Sequence, residues 1–397
     1  MSKSMHQKHI KLAKPATGHW GRQEWAILGT VCSNIQSLAQ ELSLRLADSW
    51  KVGYVDADHK SADEDENKPA FALHCTDKIG FHRMDSLKMP NSWEQRFLMN
   101  GMDLVLINGN HYEGARQMVA LDRRKFDSLS RKLNRLTQVD VWLTKTGDPD
   151  FISKDEMPDF LKNHLPGWST ISVLDLSMPE TITAFLEKNL RIAPVKSLIL
   201  TGGKSTRMGQ DKAEMAYYGR PQWQYLKSLL EKTGLETFIS CRTEQSGLFA
   251  GEQVIPDTFT GLGPLGAILS AFRHDPDAAW LVLACDLPLL DQATLGYLLD
   301  HRNPSSVATA FRQATALPGL PDTAAGETGF PEPLIAVWEP KSYGRLLQFL
   351  AQGVGCPRKV LINSDTHLLD APNPAALLNV NTPEEKSAIL ERYFARP

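Results

Sequence analysis

The chain has no excess of positive charge, few cysteines and no long apolar run, and each shortage removes a class of function. Its 397 residues carry 43 Lys and Arg against 46 Asp and Glu, a net charge of −3. A polyanion needs a basic surface, so a nucleic-acid scaffold is excluded, whereas local basic clusters can still grip a single nucleotide. The five cysteines, Cys32, Cys75, Cys241, Cys285 and Cys356, are odd in number and well separated, so neither a disulfide framework nor a Cys-x-x-Cys metal site follows. No apolar run approaches the roughly 20 residues that cross a bilayer. The basic segment 1–14 lacks the apolar core of a signal peptide. The expectation is a cytoplasmic protein with neither membrane nor nucleic-acid partners.

What is present is a chain too long for one typical core, in which short apolar runs alternate with amphipathic stretches. Strands are expected at 26–30, 52–58, 103–109, 139–144 and 170–176, and helices at 34–49, 121–136 and 179–190. Continuous β-branched runs between amphipathic segments imply a parallel sheet covered on both faces. The pair Ala193–Pro194 marks a joint, after which the pattern restarts. Strands then fit 195–201, 237–242, 280–285 and 334–338, and helices fit 222–233, 266–273, 292–302, 342–351 and 383–394. Two stretches read as loops: the acidic 61–68, and 313–332, which is rich in Pro, Gly, Ala and Thr and is expected to be mobile.

The strongest motif is LTGGKSTRMGQDK over 200–212. An apolar strand ends in Gly202–Gly203, where the lack of Cβ lets backbone amides approach a phosphate. Lys204, Arg207 and Lys212 follow as cations for a triphosphate. The spacing is neither a Walker A loop nor a dinucleotide fingerprint. Further on, Asp257 precedes the glycine loop GLGPLG over 261–266, which taken alone reads equally well as a turn with a helix cap. Asp286 follows the apolar run 280–283, and a carboxylate at the end of a parallel strand points into the ligand crevice of an α/β sheet. One such aspartate beside phosphates suits Mg²⁺. The segment LNVNTPEE over 378–385 reads locally as a helix start, with Thr382 as cap and Pro383 at its first position.

In order and content these motifs resemble the nucleoside-triphosphate transferase family and, within it, the molybdenum cofactor guanylyltransferases. The resemblance implies that Leu200, Thr201, Gly202, Gly203, Lys212 and Asp257 hold the nucleotide. It makes Arg207, Lys212 and Asp286 catalytic, with Asp286 the Mg²⁺ ligand, and sets Asn379 and Asn381 against the acceptor. GTP and molybdopterin (the molybdenum cofactor) are the implied substrates, with recipient molybdoenzymes or their chaperones as further partners. One departure stands out: Cys241 and Arg242 occupy the place where the family has an asparagine that helps to hold the nucleotide. CMP transfer to molybdopterin or another phosphorylated acceptor therefore stays open. So does an inactive regulatory or adapter protein.

The first half lacks this chemistry. Counting a Walker A loop from Gly29 puts Asn34, Ile35 and Gln36 where glycine, lysine and hydroxyl are required. Segments 51–59 and 103–110, followed by 118–122, nonetheless resemble the P-loop GTP-binding adapter that partners the guanylyltransferase. Asp56, Asp58 and His59 read better as a polar strand end than as a metal site, and His74, His82 and His111 have no ligand spacing. The expected fold is α/β in two three-layer domains: an N-terminal P-loop-like parallel sheet and a C-terminal Rossmann-like nucleotidyltransferase sheet. The expected divisions are a basic tail over 1–23, a degenerate adapter domain over 24–190 and a nucleotidyltransferase domain over 194–397.

Overall fold

The computed structural model describes residues 11–58, 71–202, 212–313 and 329–394. The chain separates into two compact units, Ala16–Arg191 and Ile192–Pro397. Both are α/β. Among the described residues no helix is long and apolar enough to cross a membrane.

The first unit contains strands β1 (Glu24–Leu28), β2 (Val52–Val55), β3 (Leu73–Lys78), β4 (Phe81–Ser86), β5 (Leu104–Asn108), β6 (Arg116–Ala120), β7 (Val139–Thr144) and β8 (Ser172–Asp175). Its helices are α1 (Cys32–Leu46), α2 (Ser92–Met99), α3 (Phe126–Ser130), α4 (Asp159–His164) and α5 (Pro179–Asn189). Six strands form one sheet in the order β2-β5-β1-β6-β7-β8, all pairings parallel, and β3 and β4 form a separate hairpin. Alternation along β1 sends Trp25 and Ile27 to one face and Ala26 and Leu28 to the other. On the first face α1 lays down Ile35, Leu38, Ala39, Leu42 and Leu46 at helical spacing, joined by Ile182 and Leu186 of α5. Leu129 of α3 and Leu161 of α4 close the second face.

The expected helix over 121–136 does not form. Asp122 is fully buried and accepts from the Thr30 hydroxyl at 2.6 Å and from the Arg124 backbone and guanidinium. These bonds fix a turn, and the chain continues as short 3₁₀ pieces around α3.

The second unit contains β9 (Val195–Leu200), β10 (Thr237–Cys241), β11 (Val254–Pro256), β12 (Ala279–Ala284), β13 (Ala308–Arg312), β14 (Pro331–Trp338) and β15 (Thr366–Leu369). Its helices are α6 (Gln222–Glu231), α7 (Pro264–His274), α8 (Gln292–Asp300), α9 (Ser342–Ala351), α10 (Pro357–Ile362) and α11 (Pro383–Ile389). The sheet order is β11-β10-β9-β12-β14-β13-β15; β14 runs antiparallel to both its neighbours and the remaining pairings are parallel. Odd residues of β12 (Ala279, Leu281, Leu283) pack on α6 and α8, and even ones (Trp280, Val282) on α7, α9 and α10. From β9 the chain first builds outward to β10 and β11, then returns to the other side as β12. Such a reversal opens a crevice at the carboxyl ends of the two strands it separates.

Of the expected loop over 313–332, residues 314–328 lie outside the described residues, as does the acidic stretch 61–68; at the loop's far end Pro331 and Glu332 already belong to β14. A register shift in β13 between Ala310 and Arg312 lies opposite, where the proline has no N–H to offer the ladder.

Candidate active site

β9 ends beneath the crevice, and its last turn is held by the neighbouring strand. Both the Thr201 amide and its hydroxyl donate to the Ser240 carbonyl, at 2.9 and 2.8 Å. The next residue, Gly202, lies close to its neighbours: a Cβ there would come within 3.1 Å of Asp257 Oδ2, which would have to give by a few tenths of an ångström, and at ordinary contact distance, 3.6 Å, from Cys241 Cα. Asp257 follows β11. Its amide donates to the Cys241 carbonyl and its Oδ1 accepts from the Ser240 hydroxyl at 2.7 Å. Burial pushes this carboxyl up, against the opposing pull of Ser240 and Arg242. Cys241 itself is fully buried in the core, where burial raises its thiol, so its side chain does not reach the crevice. Arg242 is turned back onto Gln245, whose Oε1 accepts from its Nε at 3.1 Å.

Asp286 lies two residues beyond β12, whose Ala284 pairs with Leu200. Its carbonyl accepts from the Val380 amide at 2.8 Å, which ties the expected acceptor segment to this corner. Leu378 and Val380 bury their side chains with Ile389, whereas Asn379 and Asn381 are only partly buried. A capping box at α11 (Thr382 with Glu385) also binds the Asn381 amide to Glu385 Oε2, at 2.6 Å.

One acidic residue was not legible as a site residue. The antiparallel pairing Leu283↔Ile335, continued three positions, sets Glu332 opposite Asp286. Glu332 is 2% exposed and receives Arg358 Nη2 at 3.4 Å, Gln313 Nε2 at 3.5 Å and the Asn379 amide. Burial drives its carboxyl up; Arg358 and Asn379 pull it down, while the charge of Asp286 pushes it further up. The signal was a glutamate between two prolines at the head of an apolar strand. Tyr217 completes the corner, its phenol pushed up to about 12 by burial and then by Asp286 and Glu385.

Leu200, Thr201, Gly202, Asp257, Asp286, Asn379 and Asn381 thus sit on adjoining strand ends and the segments that continue them. Lys212 opens a 3₁₀ turn, Lys212–Glu214. Gly203 and Arg207 lie outside the described residues. The glycine loop leads into α7 with Gly261 and Gly263 at φ +78° and +55°, and a Cβ on Gly266 would collide with the Phe259 carbonyl oxygen.

Residues 197–367 match the family model described as MobA-like NTP transferase domain. The molybdenum cofactor guanylyltransferase of Xanthomonas euvesicatoria is 30% identical over 200 residues, covering 50% of this chain and 95% of that protein. The chain belongs to the molybdenum cofactor guanylyltransferase family. A molybdenum cofactor biosynthesis bifunctional protein from Synechocystis is 32% identical over 198 residues, which are 49% of this chain and 54% of that one. The match therefore spans about half the length of that relative. Among solved structures, molybdopterin-guanine dinucleotide biosynthesis protein A of Archaeoglobus fulgidus aligns over 49% of this chain and 96% of its own, with 21% identity and a TM-score of 0.38.

The match to the NTP transferase domain model lies wholly within the second unit. In the first unit the β1–α1 turn is only three residues long, with Gly29 at φ +83°. The Asn110 side chain fills it: Oδ1 accepts from the Gly29 amide at 3.3 Å and Nδ2 donates to the Thr30 carbonyl at 2.8 Å. A phosphate in this turn would need the Gly29 amide that Asn110 already engages. Asp56 is engaged by Tyr54, Asn108 and the Ala57 amide, as a strand end would be, and His59 lies outside the described residues. Among the described residues no group of three or more His, Cys, Asp or Glu is placed to hold a metal ion.

Proposed function

We propose that the second unit transfers GMP from GTP to the terminal phosphate of molybdopterin and releases pyrophosphate. The observation that carries this is the convergence of Gly202, Asp257, Asp286 and the Asn379–Asn381 segment at one switch point, in a chain of this family. A phosphate oxygen of the acceptor attacks the α-phosphorus; the new P–O bond forms as the bond to the β-phosphate breaks. Because the attacking group is already an anion, the step calls for in-line positioning and charge neutralisation, and for no side-chain base. The amides from Thr201 to Gly203 cradle the nucleotide, Arg207 and Lys212 meet its phosphates, and Asp257 contacts the nucleoside. Asp286 and the neighbouring Asn379 oxygen are hard donors of the kind Mg²⁺ takes, and Asp286 would hold the ion. When bound, Mg²⁺ neutralises phosphate charge. Glu332, which accepts from the Asn379 side chain, would serve as a positioning residue for it. The first unit is read as a non-hydrolytic adapter that holds the pterin or a recipient molybdoenzyme.

Pyrophosphate release from GTP, CTP and ATP, each with and without molybdopterin, tests the reading. Release with GTP alone and only with the pterin is expected. Release with CTP alone would transfer the case to cytidylyl transfer, and none with any nucleotide would sink it.

A further inference from the structure

The filled β1–α1 turn of the first unit carries a second piece of chemistry. Cys32 is the first residue of α1, a 15-residue helix, at the carboxyl end of the central strand. Its Sγ lies 3.3 Å from His111 Nε2, and the Asn110 amide points at the same sulfur from 3.7 Å. The backbone N–H of His111 donates to the Asn108 carbonyl at 3.1 Å, which ties that residue's backbone to the end of β5. Lys132 is held on the Asn110 carbonyl at 2.6 Å, close enough to Cys32 for their charges to interact. Asp56 bears in the same way on His111. Cys32 as a residue is partly exposed.

We propose that Cys32 is a nucleophilic thiol, with His111 as its base, that reacts with a small carboxylate-bearing disulfide to give a mixed disulfide. In the tautomer with Nε2 unprotonated, His111 takes the thiol proton as Sγ attacks. The new S–S bond forms, the old one breaks, and the second sulfur leaves as a thiolate that recovers the proton, so no other oxidant is needed. A metal would need a third ligand, and the described residues supply none. The Lys132 ammonium and the amino end of α1 favour an anionic partner. The only other cysteine of this unit, Cys75, lies on the exposed hairpin, and both residues are free thiols. The mixed disulfide therefore persists until an outside thiol removes it.

The test treats the whole chain with oxidised glutathione near neutral pH, quenches with acid and follows each cysteine by mass spectrometry without reduction. Cys75 and Cys356 are exposed and serve as internal references. Cys32 should acquire the adduct roughly 10-fold or more faster than either, the scale of a positioned base. His111→Gln should bring Cys32 down to the reference rates while leaving those rates unchanged, and added imidazole should restore it in His111→Ala. The proposal is overturned if Cys32 in the unaltered chain is no faster than the references, or if His111→Gln leaves the ratio intact. Should a His111 variant misfold, visible in its circular dichroism, the ratio in the unaltered chain still decides.

Discussion

At the scale of single residues, Asp257 and Asp286 make distinct predictions. Asp286 stands beside the segment that holds Asn379, with Glu332 buried opposite. Asp286→Ala should leave the circular dichroism unchanged and lower pyrophosphate release by about 100-fold or more, the usual cost of losing a preorganised charge-stabilising group. Near-normal turnover with Mg²⁺ present would remove Asp286 from the machinery. Asp257 has its carboxyl raised by burial, so the folded state binds its proton more tightly than the unfolded chain does. Its contribution to stability is complete below the ordinary aspartate range and is lost as pH climbs through the raised value. The near-isosteric Asp257→Asn keeps an acceptor for Ser240 and removes that loss. Its denaturation midpoint should therefore gain on the unaltered chain between pH 4 and neutrality; a gap that stays constant or shrinks would contradict the burial argument.

At the scale of elements, the glycine loop shows how backbone geometry positions the site. Gly263 caps α7 at φ +55° and ψ −138°, a region that side chains avoid. Gly263→Ala should destabilise the second unit by about 1–3 kcal/mol in urea unfolding. An effect within error would mean that the turn adjusts freely. Legibility also differs by element. β7 was read to the residue although Asp140 interrupts its apolar run; β9 and β12 were placed within one residue by their apolar cores, and α1 within a few by the helical spacing of its apolar residues. β6 escaped because its first residue is arginine, and only the fold shows that this guanidinium stacks over Trp25 at 4.3 Å while pairing with Asp140. The hairpin β3–β4 escaped because it buries neither face, which leaves no alternation to detect. At the site, Asp286 was legible from the strand that aims it, whereas Glu332 depended on an antiparallel partner that no local pattern announces. Cys241 was misleading in sequence: it marks a departure from the family, yet its side chain faces the core.

At the scale of the molecule, each unit has its own sheet and buried clusters on both faces. A fragment beginning at Ile192 should therefore fold and keep pterin-dependent pyrophosphate release, which a steady-state assay measures directly. Calorimetry of a fragment ending at Arg191 should show no heat with GTP. Micromolar affinity there would mean that the turn opens despite Asn110.

That side chain has a thermodynamic consequence as well. A ligand that binds only the folded state stabilises it, by about 2.7 kcal/mol at a hundredfold excess over Kd. In the first unit the amide that such a ligand would engage is satisfied from within, by Asn110. If the fragment gives no heat with GTP, the folding of this unit draws nothing from guanine nucleotides, and it should be as stable where they are scarce as where they are plentiful.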